Sequence, residues 1–168
     1  MKRPRAGQIT LMDSIIPRDS KCRTIDASRV MRLLTSSRPE ALGDARRQVS
    51  QALAQAGLGR DAISEMEIAA GEVLSNTHLH AYPSGIGPVF IEVFCAIGLA
   101  TVIVIDHGAA TTAVAIPEGL PSVADYGGRG LYLTGHLTDN VKVRVSRVGH
   151  GLAVLIAKSL EPGQTLAA

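Results

Sequence analysis

Hydrophobic positions along this chain follow two periods, and the change between them separates its halves. Before residue 82 the longer apolar patterns recur at three and four, the spacing of one helical face. From Pro88 onward, short runs of Val, Ile, Leu and Phe stand between glycines and prolines, the pattern of strands and turns. The first half opens with Arg29–Ser36 (RVMRLLTS), a short apolar run that predicts a strand. Ser37, Pro39 and Glu40 then read as a helix start, with Ser37 as the cap and the proline in the first turn. Gly57 and Gly59 stop this helix near Ala56. Asp61 reads as the cap of a second helix, and Ser64 with Glu67 repeats the capping spacing. Its buried stripe is Ile63, Met66, Ala70, Val73 and Thr77, and it ends near His80, ahead of Pro83, Gly85 and Gly87.

In the second half, Pro88–Ala96 and Ala100–Asp106 predict strands joined at Ile97–Gly98. Residues 109–126 hold no clear element. Gly127, Gly128 and Gly130 open an amphipathic stretch over Leu131–Leu137. Val141–Val145 alternates apolar and basic residues, a half-exposed strand, and Leu152–Ala157 is a last apolar strand. Strands paired as hairpins with helices grouped beside them predict an α+β, two-layer sandwich: a mixed, mainly antiparallel sheet with helices on one face.

Composition sharpens this picture in two places. Apolar residues make up 46% of the chain but aromatics only 3%, so Ile, Val, Leu and Ala must fill the core. The net charge of +2 is uneven: residues 1–23 hold six bases and two acids, leaving 11 bases against 13 acids elsewhere. The first 23 residues, which lack periodicity, read as a basic, disordered tail; residues 24–162 form the folded domain and 163–168 a second short tail. A nucleic-acid binder carries its basic patch on the folded body, so direct nucleic-acid binding is not expected. No unbroken apolar stretch has membrane-spanning length, and no apolar signal core follows the N-terminal bases. A cytoplasmic protein is expected. Cys22 and Cys95 make neither a metal-ligand spacing nor a disulfide framework, and Cys95 reads as a small buried hydrophobe.

Three constellations bear on chemistry. Glu72, Asn76 and His80 are spaced by four, one face of the second helix. A carboxylate and an amide oxygen there suit magnesium or water chemistry; the same spacing also describes a solvated polar face. Asp106-His107-Gly108 follows the apolar strand directly. A carboxylate at a strand end can accept hydrogen bonds from a ligand's amino group, and a glycine two residues on lets a flat ring approach; an ordinary Asp/Gly turn looks the same. Gly127-Gly128-Arg129-Gly130-Leu131 opens a helix, where N–H groups and the helix dipole favour anions. No Lys-Ser/Thr follows those glycines and no strand directly precedes them, which argues against P-loop and Rossmann chemistry.

Taken in order, GEVLSNTHLHAY (71–82), VIVIDHG (102–108), GGRGLYLTGHLTDNV (127–141) and the closing GHGLAVLIAKSL (149–160) resemble the GHKL (histidine-kinase-like) ATPase superfamily. Within it, the chain is most similar to anti-sigma-factor serine/threonine kinases of the RsbW type, through the ending from Asn76 to Tyr82. The resemblance implies ATP and Mg²⁺ as cofactors. Asn76 would ligate the metal and Glu72 would act as general base. Asp106 would bind the adenine amino group beside Gly108, and Gly128 and Gly130 would cradle phosphates. His80, Arg129 and Leu131 would join the nucleotide contacts, with residues 109–126 as the ATP lid. The implied partners are a sigma factor and a STAS-domain anti-anti-sigma protein, with a homodimer as the assembly. The family's first glycine box ends in glycine where this chain has Ala110. If that position required φ > 0, alanine would cost on the order of 1 kcal/mol and would favour an alternative, a GHKL-fold module that acts by docking alone. A detached sensor histidine kinase is disfavoured, because all five histidines (78, 80, 107, 136, 150) fall inside the ATPase region.

Overall fold

The structure is a computed structural model and describes residues 27–83, 85–119, 121 and 129–160. The tail of residues 1–23, the short tail of 163–168 and Gly127–Gly128 therefore lie outside the described residues. In chain order the elements are β1 (Ser28–Ser36), α1 (Pro39–Gln55), α2 (Arg60–Asn76), a π-helical turn (Thr77–Ala81), β2 (Pro88–Ala96), β3 (Leu99–Asp106), α3 (Arg129–Leu137), β4 (Asn140–Val145) and β5 (Leu152–Ser159). The strands form one sheet in the order β1-β2-β3-β5-β4, and every adjacent pair is antiparallel. The architecture is the α+β arrangement that the strand and helix patterning predicts.

Helices α1 and α2 cover one face. Leu42, Ala45, Val49 and Leu53 of α1 and Met66, Ala69, Ala70 and Val73 of α2 share a core with Val89, Ile91, Val93 and Cys95 of β2, Val102 and Val104 of β3, and Ile156 of β5. Alternate residues of a strand point to opposite faces. The intervening residues Phe94, Ile103, Ala153, Leu155 and Ala157 accordingly form a second apolar cluster, on the face away from the helices. With both faces apolar, β3 reads as a continuous run rather than an alternation. Cys95 belongs to the helix-side core, and burial pushes its thiol up to about 11. Among the described residues, no helix is long and apolar enough to cross a membrane.

Both expected helix caps are replaced by other devices. Ser37 does not cap α1: the N-cap is Arg38, with extended backbone and no side-chain cap. A residue before proline is pushed out of the helical region, so Arg38 stays extended. Ser37 instead prolongs the β1–β2 pairing, donating its N–H to the Gly87 carbonyl at 2.9 Å and accepting the Gly87 N–H on its hydroxyl at 3.1 Å. Likewise Gly59 takes the N-cap of α2, and Asp61 lies in the first turn, where a negative charge favours the helix dipole. The Ser64 hydroxyl donates to the Arg60 carbonyl, and Glu67 faces Arg46 of α1 at 3.6 Å. The α-helical pattern of α2 stops at Asn76, before the expected His80, and the wider π turn carries the chain on.

Leu53 is fully buried in the helix-side core. Leu53→Ala should lower the unfolding free energy by about 2–5 kcal/mol, read as a lower midpoint with unchanged slope in urea denaturation.

Candidate functional site

The end of α2, the π turn and the end of β3 enclose a cavity of about 270 Å³. Val73, Asn76, Thr77, His80 and Ala81 line it from the helical side; Asp106, Val143, Leu152 and Val154 line it from the sheet. Ala110, Val114, Ala115 and Pro117 form a further wall, and Leu131 of α3 closes the remainder. The lining is mainly aliphatic, with a few polar groups converging on it, which is the usual make-up of a site for a small flat ligand.

Asp106 is buried, at 5% exposure. Its Oδ1 accepts two backbone N–H bonds, from Gly108 at 2.8 Å and from Leu152 at 3.2 Å. One oxygen thus fixes the carboxylate at the base of the cavity. Two glycines make this approach possible. A Cβ on Gly108 would lie 2.2 Å from the Ala81 carbonyl oxygen. Gly151 has φ +77, and a Cβ there would lie 2.3 Å from the Asp106 carbonyl oxygen. The Ala109 N–H donates to the Ala81 carbonyl at 2.9 Å, so the turn after β3 is tied to the π turn. Ala110 shows no positive φ, and its carbonyl accepts the Gly151 N–H at 2.7 Å. Alanine sits at this position of the glycine box without backbone strain.

Glu72 lies to one side of the cavity, against α3. A Cβ on Gly130 would be 2.6 Å from Glu72 Oε2, so the carboxylate borders the first turn of α3, where backbone N–H groups remain unpaired within the helix. Asn76 follows one turn later and reaches the cavity.

Of the residues singled out in the sequence, Asn76, His80, Asp106 and Leu131 therefore share one cavity. Gly108 packs beneath it, Glu72 and Gly130 adjoin each other beside it, and Arg129 is the exposed first residue of α3. Gly128 lies outside the described residues. His80 reaches the cavity through the π turn rather than by continued α-helical spacing. Such turns recur at functional sites because they shift side chains relative to a regular helix. The apolar wall from Val143, Leu152 and Val154 went unrecognised in the sequence, although the alternation of β4 and the apolar run of β5 carried it. The role of Tyr82 went unrecognised as well. Its hydroxyl donates to the Pro88 carbonyl at 2.6 Å and accepts the His107 N–H at 2.9 Å, clamping the start of β2 to the end of β3. His107 in turn lies against Phe90, with ring centroids 5.3 Å apart.

Residues 35–158 match the histidine kinase-like ATPase domain family. The chain belongs to this family. The assignment carries ATP as the ligand. The residues fit a nucleotide, for a buried carboxylate held at the base of an aliphatic cavity suits an adenine amino group. The fold is shared with the RsbU and RsbW domains of Rv1364c from Mycobacterium tuberculosis, at a TM-score of 0.56 and 17% identity, over 82% of this chain and 35% of that one. The chain thus spans about a third of that protein. A histidine kinase domain from the blue-light activated histidine kinase of Erythrobacter litoralis aligns at a TM-score of 0.43 and 17% identity, over 74% of this chain and 62% of that one. No curated protein sequence matches the chain.

Burial raises the Tyr82 phenol above its ordinary value, the bond from His107 works in the opposite direction, and the Asp106 charge adds to the rise. A raised folded pKa means that the neutral phenol's stabilisation is present below the unfolded tyrosine value of about 10 and is lost as pH climbs through the folded value. Tyr82→Phe should cost about 1 kcal/mol at neutral pH. The gap between mutant and wild type should narrow in denaturation curves measured above pH ~10.

Proposed function

We propose that this chain is an ATP-binding anti-sigma factor and serine/threonine protein kinase. It sequesters a sigma factor in the cytoplasm, as a homodimer, and phosphorylates a STAS-type anti-anti-sigma protein to control exchange between the two. Residues 24–162 act as one ATPase domain. The observation carrying this reading is the pairing of two carboxylates in different settings: Asp106 fixed by two N–H bonds at the base of the cavity, and Glu72 beside the first turn of α3. The RsbW domain named in the Mycobacterium tuberculosis structure supports the choice of class.

Bound Mg-ATP supplies the transferable phosphoryl group and the charge neutralisation that its transfer requires. Asp106 would accept a hydrogen bond from the adenine amino group, with Gly108 and Leu131 beside the ring. Asn76 would hold the magnesium ion through its amide oxygen, an oxygen ligand of the kind that ion prefers. Gly128, Arg129 and Gly130 present the positive end of α3 to the phosphates, and His80 borders the same space. Glu72 orients the acceptor hydroxyl and takes its proton. Residues 109–126, of which 120 and 122–126 lie outside the described residues, would form the lid over the nucleotide. A docking-only module drew its support from Ala110, and the unstrained backbone there removes that support.

Two substitutions test the assignment. In Asp106→Asn the amide oxygen must stay where the Gly108 and Leu152 N–H groups donate, which turns the NH₂ toward the adenine amine. Two donors then face each other, at about 1–3 kcal/mol, so ATP affinity by calorimetry should fall roughly ten- to hundredfold. Unchanged affinity would refute the adenine role. Glu72→Gln should bind Mg-ATP within a few-fold and still bind the sigma factor, yet lose at least about a hundredfold in radiolabelled phosphate transfer to the STAS protein. Transfer at the wild-type rate would remove Glu72 as the base.

A further inference from the structure

Helix α3 brings Gly130 to Glu72, yet little apolar burial holds it in place. It is nine residues long, and among its described residues Thr134 alone is buried. The Thr134 hydroxyl acts within the helix, donating to the Gly130 carbonyl at 2.8 Å. A helix this short depends on what it is tied to.

At its C-terminal end, three consecutive residues of β5 hold α3 and the corner that follows it. The Ala157 carbonyl accepts the Asp139 N–H at 3.0 Å, and the Ser159 N–H donates to Asp139 Oδ2 at 2.5 Å. Between them, the Lys158 ammonium donates to the carbonyl of Leu137, the last residue of α3, at 3.1 Å. The same ammonium meets Glu65 Oε2 of α2 at 2.7 Å. A cation there satisfies a carbonyl that the helix leaves open and favours its dipole. The Lys158 side chain is only 19% exposed, so salt screens it less than a surface pair. One ammonium group thus joins β5, α3 and α2.

The two helices meet again at the other end of α3, where a Cβ on Gly130 would be 2.6 Å from Glu72 Oε2. Glu65 and Glu72 stand seven residues apart on α2, and Gly130 and Leu137 seven residues apart on α3. That is about 10 Å along either axis. The junction at Lys158 and the Glu72–Gly130 contact are therefore matched in spacing along two helices.

We propose that Lys158 is a positioning residue: by tying Leu137 to Glu65 it fixes the axial position of α3, and with it the placement of Gly130 against Glu72. The proposal rests on the reading of Glu72 as the base and of α3 as the phosphate-binding helix. Lys158 is not among the residues lining the cavity and acts only through α3. A misplacement of about 1 Å can lower a rate on the order of 10²-fold, so a slip at Leu137 that carries two turns along the helix is felt at the site.

Lys158→Met keeps an aliphatic stem and removes the charge and its donors, and two readouts on the full chain follow it. In isotope-labelled protein, Glu72→Gln should shift the Gly130 amide signal, and that shift should fall by about half or more in the Lys158→Met background. Lys158→Arg should retain it, and the Gly108 amide, bonded to Asp106, should hold its position throughout. No Gly130 shift in the wild-type background, or an undiminished one with Lys158→Met, would overturn the proposal. So would an equal displacement of Gly108, the mark of a general loosening. In phosphate transfer, Lys158→Met should lower kcat about tenfold, but less than about twofold once Glu72→Gln is present; equal losses in the two backgrounds would overturn the proposal. Absence of transfer in the wild type counts against the kinase reading alone, and the Gly130 signal still decides the role of Lys158. If Lys158→Met does not fold, Glu65→Ala cuts the same junction from α2 and should diminish the Gly130 shift likewise; an undiminished shift there would overturn the proposal.

Discussion

One oxygen atom organises the functional end of this molecule. Asp106 Oδ1 receives the Gly108 N–H from the turn after β3 and the Leu152 N–H from the start of β5. A buried carboxylate without such donors is costly, so the end of β3 with its turn and the start of β5 have to converge on it. Convergence at that range leaves no room for a side chain at Gly151, and the close approach of the Ala81 carbonyl leaves none at Gly108. The orientation of the carboxylate in the cavity follows from these backbone bonds and does not wait for a ligand, which is what preorganisation means for a binding site.

The helical side is fastened to the same point by separate means. The Ala81 carbonyl accepts from Ala109, and Tyr82 bridges Pro88 and His107. The π turn and the end of β3 therefore hold a fixed relation, and Asn76 and His80 inherit it. Glu72 stands outside this arrangement, on the regular part of α2, where its neighbour is Gly130 of α3. The two carboxylates are thus positioned by different parts of the fold.

Much of this was legible from residue order. The boundaries of β2 are those read from Pro88–Ala96, and Gly98 marks the turn before β3, because apolar runs between glycines leave little choice. The cavity residues Asn76, His80 and Asp106 were legible through the spacing of four on one helix face, the carboxylate directly after an apolar strand, and the order in which these motifs follow one another. The caps were not. Ser37 and Asp61 carry the right side chains, but the long-range bond from Ser37 to Gly87 and the extended Arg38 before Pro39 decide the helix starts. Nor was the π turn visible, since Thr77–Ala81 continues an α-helical spacing in the sequence. The aliphatic wall was hidden because β4 alternates as a half-exposed strand and β5 reads simply as a last apolar run, neither of which says which residues face a cavity.

The sheet order has a consequence for how the molecule comes into being. Strands β1, β2 and β3 pair as neighbours in sequence, aside from the two helices between the first two. The β3–β5 pairing, by contrast, must close a long loop, and the Asp106–Leu152 bond spans 46 residues. Loop-closure entropy has to be met before such contacts give any return. A chain with only its helices and first three strands assembled would have a core but no Leu152 donor and no Val154 wall. The nucleotide cavity therefore arises only with the last long-range pairing, so a bound ligand can stabilise the completed fold but not its partly formed predecessors.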